Sequence, residues 1–257
     1  MTEELAFSAA GPIARIELRR GGKLNALTPA MLEGLGAACD AVERDASIRC
    51  VLLTAEGKAF CAGADIHAWS SLGPVDMWQR WIVPGHRVFD RLASLRVPTI
   101  AVIEGGCFGG GLELALCCDL RVASSGASFA MPEVSIGTLP GWGGTGRLPR
   151  AVGSARARQL ILTGERIDAA TALQWGLVAS VHEGAGASAE AERLAGVIAG
   201  RAPVAVAAAK LALAAQDADG AMRSLEALGG AIAAATEDAA EGLASFREKR
   251  PPVWKGR

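Results

Sequence analysis

The chain has 257 residues, 51% of them hydrophobic and 21% charged, enough apolar material for a sizeable core with a smaller appendage, and a balance that excludes a disordered or coiled-coil chain. Its 26 Lys and Arg offset 27 Asp and Glu to leave a formal net charge of -1, with no long run of one sign, so no nucleic acid partner is expected, because phosphate binding needs a clustered basic face. Six cysteines form no C-x-x-C pair and have no histidine at metal-ligand spacing, which speaks against a zinc site and suits a reducing, cytoplasmic compartment.

The start of the chain, MTEELAFSAA, reads as neither signal nor transit peptide, and no apolar run reaches the roughly 18 residues of a membrane span. Residues 3–18 read as two strands joined at Ala10-Gly11-Pro12. Thr28-Pro29 then supplies an N-cap and a proline at the first helical position, and Met31, Leu32, Leu35, Ala38 and Val42 continue at helical spacing to about Arg44. Cys50 to Thr54 and Thr99 to Ile103 are short apolar runs suited to parallel strands covered on both faces, with a helix over about 84–95 between them. Residues 66–84, with Trp69, Trp78 and Trp81, read as an irregular excursion containing a short helix, whose aromatics suit either an acyl pocket or local packing. A helix over 110–118 and a strand over 120–123 come next, and the alternation argues for a layered α/β fold of βαβ-like units. Beyond Pro149 the expected helices are 154–162, 168–175, 188–200, 203–215, 220–235 and 237–247, more apolar than a small bundle can bury alone.

Three glycine-rich turns carry the candidate chemistry. In Glu104-Gly-Gly-Cys-Phe-Gly-Gly-Gly-Leu-Glu-Leu, three successive glycines lead a strand into a helix, a pattern that suits an oxyanion hole but by itself favours a tight, closely packed turn. Ala59-Phe-Cys-Ala-Gly-Ala-Asp-Ile offers a second set of small residues, so that Ala64 N–H and Gly110 N–H could form a two-donor hole from separate turns of one sheet. Glu133 follows Pro132 in an apolar stretch, which suits a desolvated acid-base carboxyl; the plain alternative is a salt bridge to Arg147 or Arg150. Gly141 to Gly146 matches G-x-G-x-x-G, yet no long strand precedes it and Pro149 is expected to break the segment that it opens, so a dinucleotide site is rejected. His67, His86 and His182 have no nucleophile-elbow context, which removes support for a hydrolytic triad.

Taken together, N-A-L-T-P at 25–29, A-F-C-A-G-A-D-I at 59–66, the P-T-I-A-V-I-E-G to G-G-G-L-E-L-A-L-x-C-D block at 98–119, P-E-V-x-I-G-T-L-P-G-x-G-G-T-x-R-L at 132–148, L-T-G-E-R-I-D-A-A at 162–170 and S-F-R-E-K-R at 245–250 resemble the enoyl-CoA hydratase/isomerase (crotonase) superfamily along essentially the whole chain. The resemblance implies an α/β fold, a crotonase-like spiral of ββα units over 1–195, with a C-terminal helical region over 196–257 that builds trimers or dimers of trimers. It implies that Glu113 and Glu133 hold the attacking water of a hydratase, opposite Ala64 and Gly110 as oxyanion donors. Coenzyme A is then expected near Ala62, Ala64, Asp65, Ile66 and His67, with Lys249 near phosphate; no metal or redox cofactor is implied. A Δ3,Δ2-enoyl-CoA isomerase, which commonly keeps only the glutamate matching Glu133, and a fold-retaining binding protein without turnover are the alternatives. Met131, Trp142 and the tryptophan-rich 66–84 segment depart from the family pattern and leave acyl specificity open.

Overall fold

The computed structural model describes residues 3–215 and 236–257. Strands β1 (Leu5–Ala10) and β2 (Ile13–Leu18) form the expected hairpin, in register from Leu5 opposite Leu18 to Ala10 opposite Ile13. Helix α1 (Pro29–Arg44) starts where Thr28 Oγ1 accepts the Met31 N–H at 3.1 Å, and it buries Met31, Leu32, Leu35, Ala38, Cys39 and Val42. A repeating unit then begins. Strand β3 (Cys50–Ala55) leads to β4 (Ala59–Cys61) and a helical excursion of α2 (Ile66–Trp69), α3 (Pro74–Asp76), a π-helical turn (Met77–Ile82) and α4 (Val83–Ala93). Strand β5 (Thr99–Ile103) leads to β6 (Gly106–Phe108) and α5 (Gly110–Ala115). Strand β7 (Leu120–Ser124) leads to β8 (Ser128–Ala130), a 3-10 turn (Pro132–Ile136), α6 (Gly144–Val152) and α7 (Ser154–Thr163).

The long strand of each unit joins one sheet and the short strand joins a second, which is the spiral of ββα units. The six-stranded sheet runs β1-β2-β3-β5-β7-β10, parallel from β2 onward; the four-stranded sheet runs β4-β6-β8-β9, closed by the antiparallel β9 (Ile167–Asp168). A 3-10 turn (Gly21–Lys23), helix α8 (Ala169–Trp175), strand β10 (Ser180–His182) and helices α9 (Gly186–Ala199), α10 (Pro203–Ala214) and α11 (Glu237–Glu248) complete the described elements. The helix expected over 220–235 lies outside the described residues.

The continuous apolar runs are explained by burial on both faces. Cys50, Leu52, Ile100, Val102 and Val122 meet Ala187, Ala191 and Ala195 of α9, whose small side chains at i, i+4 and i+8 let the helix lie close to the sheet. Val51, Leu53, Ala101, Ile103 and Ala123 point into the main core with α1, α4 and α5. Among the described residues no single helix is long and apolar enough to cross a membrane; α9 and α10 reach that length only as a pair bent by 112°.

Some boundaries differ from expectation. Helix α5 stops at Ala115 rather than 118, because Cys117 N–H and Cys118 N–H turn back to Leu114 and Ala115 C=O in tighter bonds. Pro149 does not break the segment after Gly143 but sits inside α6, where buried Leu148 and Val152 hold the turn against the lost N–H. The three-residue strands β4, β6 and β8 are too short to show a period of their own.

Candidate active site

Turns following β4, β6 and β8, three parallel neighbours of the smaller sheet, converge on a cavity of about 250 Å³. The first, Ala62-Gly63-Ala64, is latched by the 24–27 segment. Ala62 N–H donates to Leu24 C=O (2.9 Å), Leu27 N–H to Gly63 C=O (2.8 Å) and Asp65 N–H to Leu27 C=O (2.9 Å). Behind this latch Asn25 is fully buried at φ +54°, a conformation that asparagine tolerates better than most residues. Its Oδ1 accepts Arg20 N–H (2.8 Å), and its Nδ2 donates to the Glu56 and Ala59 carbonyls (2.8 and 2.9 Å). Asn25 shapes backbone and carries no reactive group, so its only mark in the sequence is an amide side chain inside the N-A-L-T-P stretch.

The glycines of the second turn divide between close packing and the cavity wall. Gly109 sits at φ +51°, ψ -126°, where side chains are rarely tolerated, and a Cβ there would stand 2.8 Å from Glu133 Oε1. A Cβ on Gly111 would lie 2.3 Å from Cys61 C=O, so this glycine serves close packing. Gly110 faces the cavity: a Cβ there would lie 3.3 Å from Ala64 N, so the two turns nearly touch. Among the described residues neither Ala64 N–H nor Gly110 N–H donates to a backbone carbonyl, and both residues line the cavity.

Glu113, in the first turn of α5, is 2% exposed. Its Oε1 accepts Trp142 N–H (2.8 Å) and Gly144 N–H (2.7 Å) at the start of α6. The G-x-G-x-x-G stretch therefore presents its amides to a carboxylate of the protein's own. Burial raises the Glu113 pKa, while the Gly144, Trp142 and Gly141 amides and then Arg147 work against that rise. Glu133, on the 3-10 turn after β8, is pushed up to about 7 by burial, opposed by its own backbone N–H and reinforced by the Glu113 charge. Its Oε2 is buried without a hydrogen-bond partner. Arg147 instead pairs with Asp90 and donates to Trp142 C=O (2.8 Å).

The cavity also gathers Ala62 and Ile66, with Trp69, Met77, Trp81, Ile82 and Trp142 as an apolar wall. Asp65, His67 and Lys249 lie outside this lining. Asp65 pairs with Arg20 (2.7 Å) and caps α2 by accepting His67 N–H (3.0 Å), His67 is exposed, and Lys249 terminates α11 at φ +55°. His86 is also outside, with Nε2 3.7 Å from Asp90, and Trp78 is exposed. All six cysteines are buried free thiols, and burial pushes Cys61 up to about 12, which makes a poor nucleophile at neutral pH. Among the described residues no group of three or more His, Cys, Asp or Glu is arranged to hold a metal ion. The arrangement as a whole can fix one carboxylate oxygen, hold a second carboxyl whose pKa burial raises to about 7, and offer two amide donors on the same cavity, which is equipment for moving protons on a carbonyl compound.

Comparison with known proteins agrees with this geometry. The enoyl-CoA hydratase/isomerase family model matches residues 8–257. The chain is 39% identical over 245 residues to the short-chain-enoyl-CoA hydratase of Clostridium acetobutylicum, covering 93% of each, and 36% identical over 252 residues to the crotonyl-CoA hydratase of Syntrophomonas wolfei, covering 96% of each. Its structure superposes on the crystal structure of enoyl-CoA hydratase from Bacillus anthracis with a TM-score of 0.94 at 35% identity, over 99% of this chain and 100% of that one.

Proposed function

Because the chain belongs to the enoyl-CoA hydratase/isomerase family, we propose that it is a hydro-lyase that adds water syn across the double bond of a trans-2-enoyl-CoA to give a 3-hydroxyacyl-CoA. The observation that carries this reading is the pair Glu113 and Glu133 on one cavity with the uncommitted amides of Ala64 and Gly110. The Glu113 carboxylate takes a proton from water as the water oxygen bonds to Cβ. The electron pair of the double bond moves through Cα onto the thioester oxygen, where Ala64 N–H and Gly110 N–H hold the enolate. Glu133 then passes its proton to Cα, and the proton held by Glu113 is relayed through the next water to Glu133, which restores the starting state.

The environments support this division of labour. Two amides on Glu113 Oε1 favour an ionised, oriented base, whereas the unpartnered Oε2 of Glu133 favours the neutral acid. Hydration leaves the overall oxidation level of the substrate unchanged, so the proposal calls for no redox cofactor, and its steps use only the two carboxyls and the two amides. The coenzyme A portion is assigned to the backbone around Ala62 and 64–67, with Lys249 of the same or a neighbouring chain toward phosphate. A homotrimer or dimer of trimers in the cytoplasm completes the proposal, supported by exposed Leu211, Leu213 and Leu243 on α10 and α11 and by the unpaired thiols.

Loss of enoyl absorbance on incubation with crotonyl-CoA tests the reading. Glu113→Gln and Glu133→Gln should each lower kcat by about 10²–10⁴ while leaving thioester binding largely intact. Absence of hydration across several chain lengths, or full activity in both variants, would overturn it.

A further inference from the structure

The cavity has a mouth and a floor. Ile66, Ile136 and Leu139, at 49%, 54% and 65% exposure, form the mouth, whereas Trp81 and Trp142, at 4% and 2%, form the floor. The Trp142 indole is closely packed along both edges. A Cβ on Gly85 of α4 would stand 2.3 Å from its Nε1, and a Cβ on Gly110 would stand 2.9 Å from its Cζ3, so each edge of the ring lies over a glycine that leaves it just enough space. The rings of Trp81 and Phe89 pack on it at centroid distances of 5.1 and 5.0 Å, and Nε1–H donates to Trp81 C=O at 3.4 Å.

Resting on the assignment of this cavity to an enoyl thioester, we propose that the Trp142 indole is the end stop of the acyl chamber and restricts the enzyme to short acyl groups of about crotonyl size. Gly110, which lies under the benzo edge of the indole, also carries one amide donor for the thioester oxygen, and Trp142 N–H itself holds Glu113. The groups that would hold the reacting carbons and the wall therefore belong to the same two residues, and the packing of Trp142 on Gly110 sets the length of tail that fits between them. An acyl chain extending past the indole would have to drive it into Gly85 and Phe89. Close-packed interiors resist such displacement, and an apolar pocket of fixed depth discriminates by roughly 10–200-fold per mismatched methylene. Gly85 is then a specificity residue by its lack of a side chain, and the pair Gly85 and Trp142 is one device made from α4 and the loop before α6.

Saturated acyl-CoAs cannot be hydrated, so their binding reads the chamber independently of turnover. Titration calorimetry of the full-length protein with butyryl-, hexanoyl-, octanoyl- and decanoyl-CoA should show butyryl-CoA at least about tenfold tighter than decanoyl-CoA in the wild type. Trp142→Phe should flatten or reverse that ratio. Gly85→Ala, whose methyl pushes the indole toward the chamber, should steepen it and lower the thermal midpoint. The double variant Gly85→Ala/Trp142→Phe should recover that midpoint, because the smaller ring leaves space for the methyl, and this recovery is readable even if Gly85→Ala alone folds poorly. A wild type that binds decanoyl-CoA as well as butyryl-CoA, or an unchanged chain-length profile in a cooperatively melting Trp142→Phe, would overturn the end stop. Crotonyl-CoA hydration measured in parallel separates the two ideas. A steep binding profile without hydration defeats the hydratase reading alone, and hydration with a flat profile defeats the end stop alone.

Discussion

At the scale of single residues, the two glutamates share a cavity and differ in what touches them. Glu113 is buried more deeply, yet its Oε1 is met by two amides, whereas Glu133 has a buried oxygen with no donor. Burial raises both, and a raised carboxyl holds its proton to higher pH. With Glu133 needed as the acid, kcat for hydration should fall as pH rises through about 7, where its proton is lost. With Glu113 needed as the base, the acid limb should lie above the ordinary glutamate value of 4.5, since its pKa is also raised. The two groups interact, so the limbs report values of the pair. A pH–rate profile of Glu133→Gln should keep the acid limb of its residual activity and lose the basic one. A basic limb surviving at about 7 in that variant would assign the proton to another group.

At the scale of elements, the site is assembled from turns that are individually weak and mutually braced. The 24–27 segment contributes no group to the proposed chemistry, yet its hydrogen bonds to Ala62, Gly63 and Asp65 fix the direction of the Ala64 amide. Asn25 anchors that segment through three hydrogen bonds to backbone. Asn25→Ala would strand the buried Ala59 carbonyl, remove the partners of Glu56 C=O and Arg20 N–H, and leave alanine in a left-handed conformation, so we expect a loss of roughly 2–4 kcal/mol in stability. It should also lower kcat at saturating substrate, because the amide donor loses its orientation. Chemical denaturation and steady-state kinetics on the same preparation check both, and a stable variant with full kcat would show that Asn25 does not brace the turn. Element boundaries were legible where an apolar face was long enough to show a period, as in α1. They were not legible in β4, β6 and β8, whose three residues become strands because neighbours offer them a ladder.

At the scale of the whole molecule, α9 closes the outer face of the large sheet, and α10 is tied to the strand ends through Lys210. That ammonium reaches Asp119 (2.8 Å) and Val97 C=O (2.9 Å), while Asp119 Oδ2 also accepts from Thr99 N–H (2.7 Å) and Thr99 Oγ1 (3.0 Å). Leu211 and Leu213 nevertheless remain exposed on α10. Apolar side chains left open in this way suit an assembly, and light scattering should give three or six times the mass of the chain. A monomer at micromolar concentration would contradict the proposed trimer.

The sequence by itself determined the layered α/β class, the spacing of the strand-to-helix turns and the presence of two glutamates beside glycine-rich loops, because these depend on local periodicity and on residue types that force particular backbone. Only the tertiary structure decided which amides hold Glu113, since Trp142 and Gly144 are about thirty residues away from it. It also decided that Glu133 stands without a salt bridge to Arg147, which pairs with Asp90 instead, and that Pro149 is carried inside a helix. The fit of Trp142 between Gly85 and Gly110 belongs to the same group. Burial, desolvation and steric fit are properties of neighbours brought together by the fold, and no pattern along the chain names those neighbours.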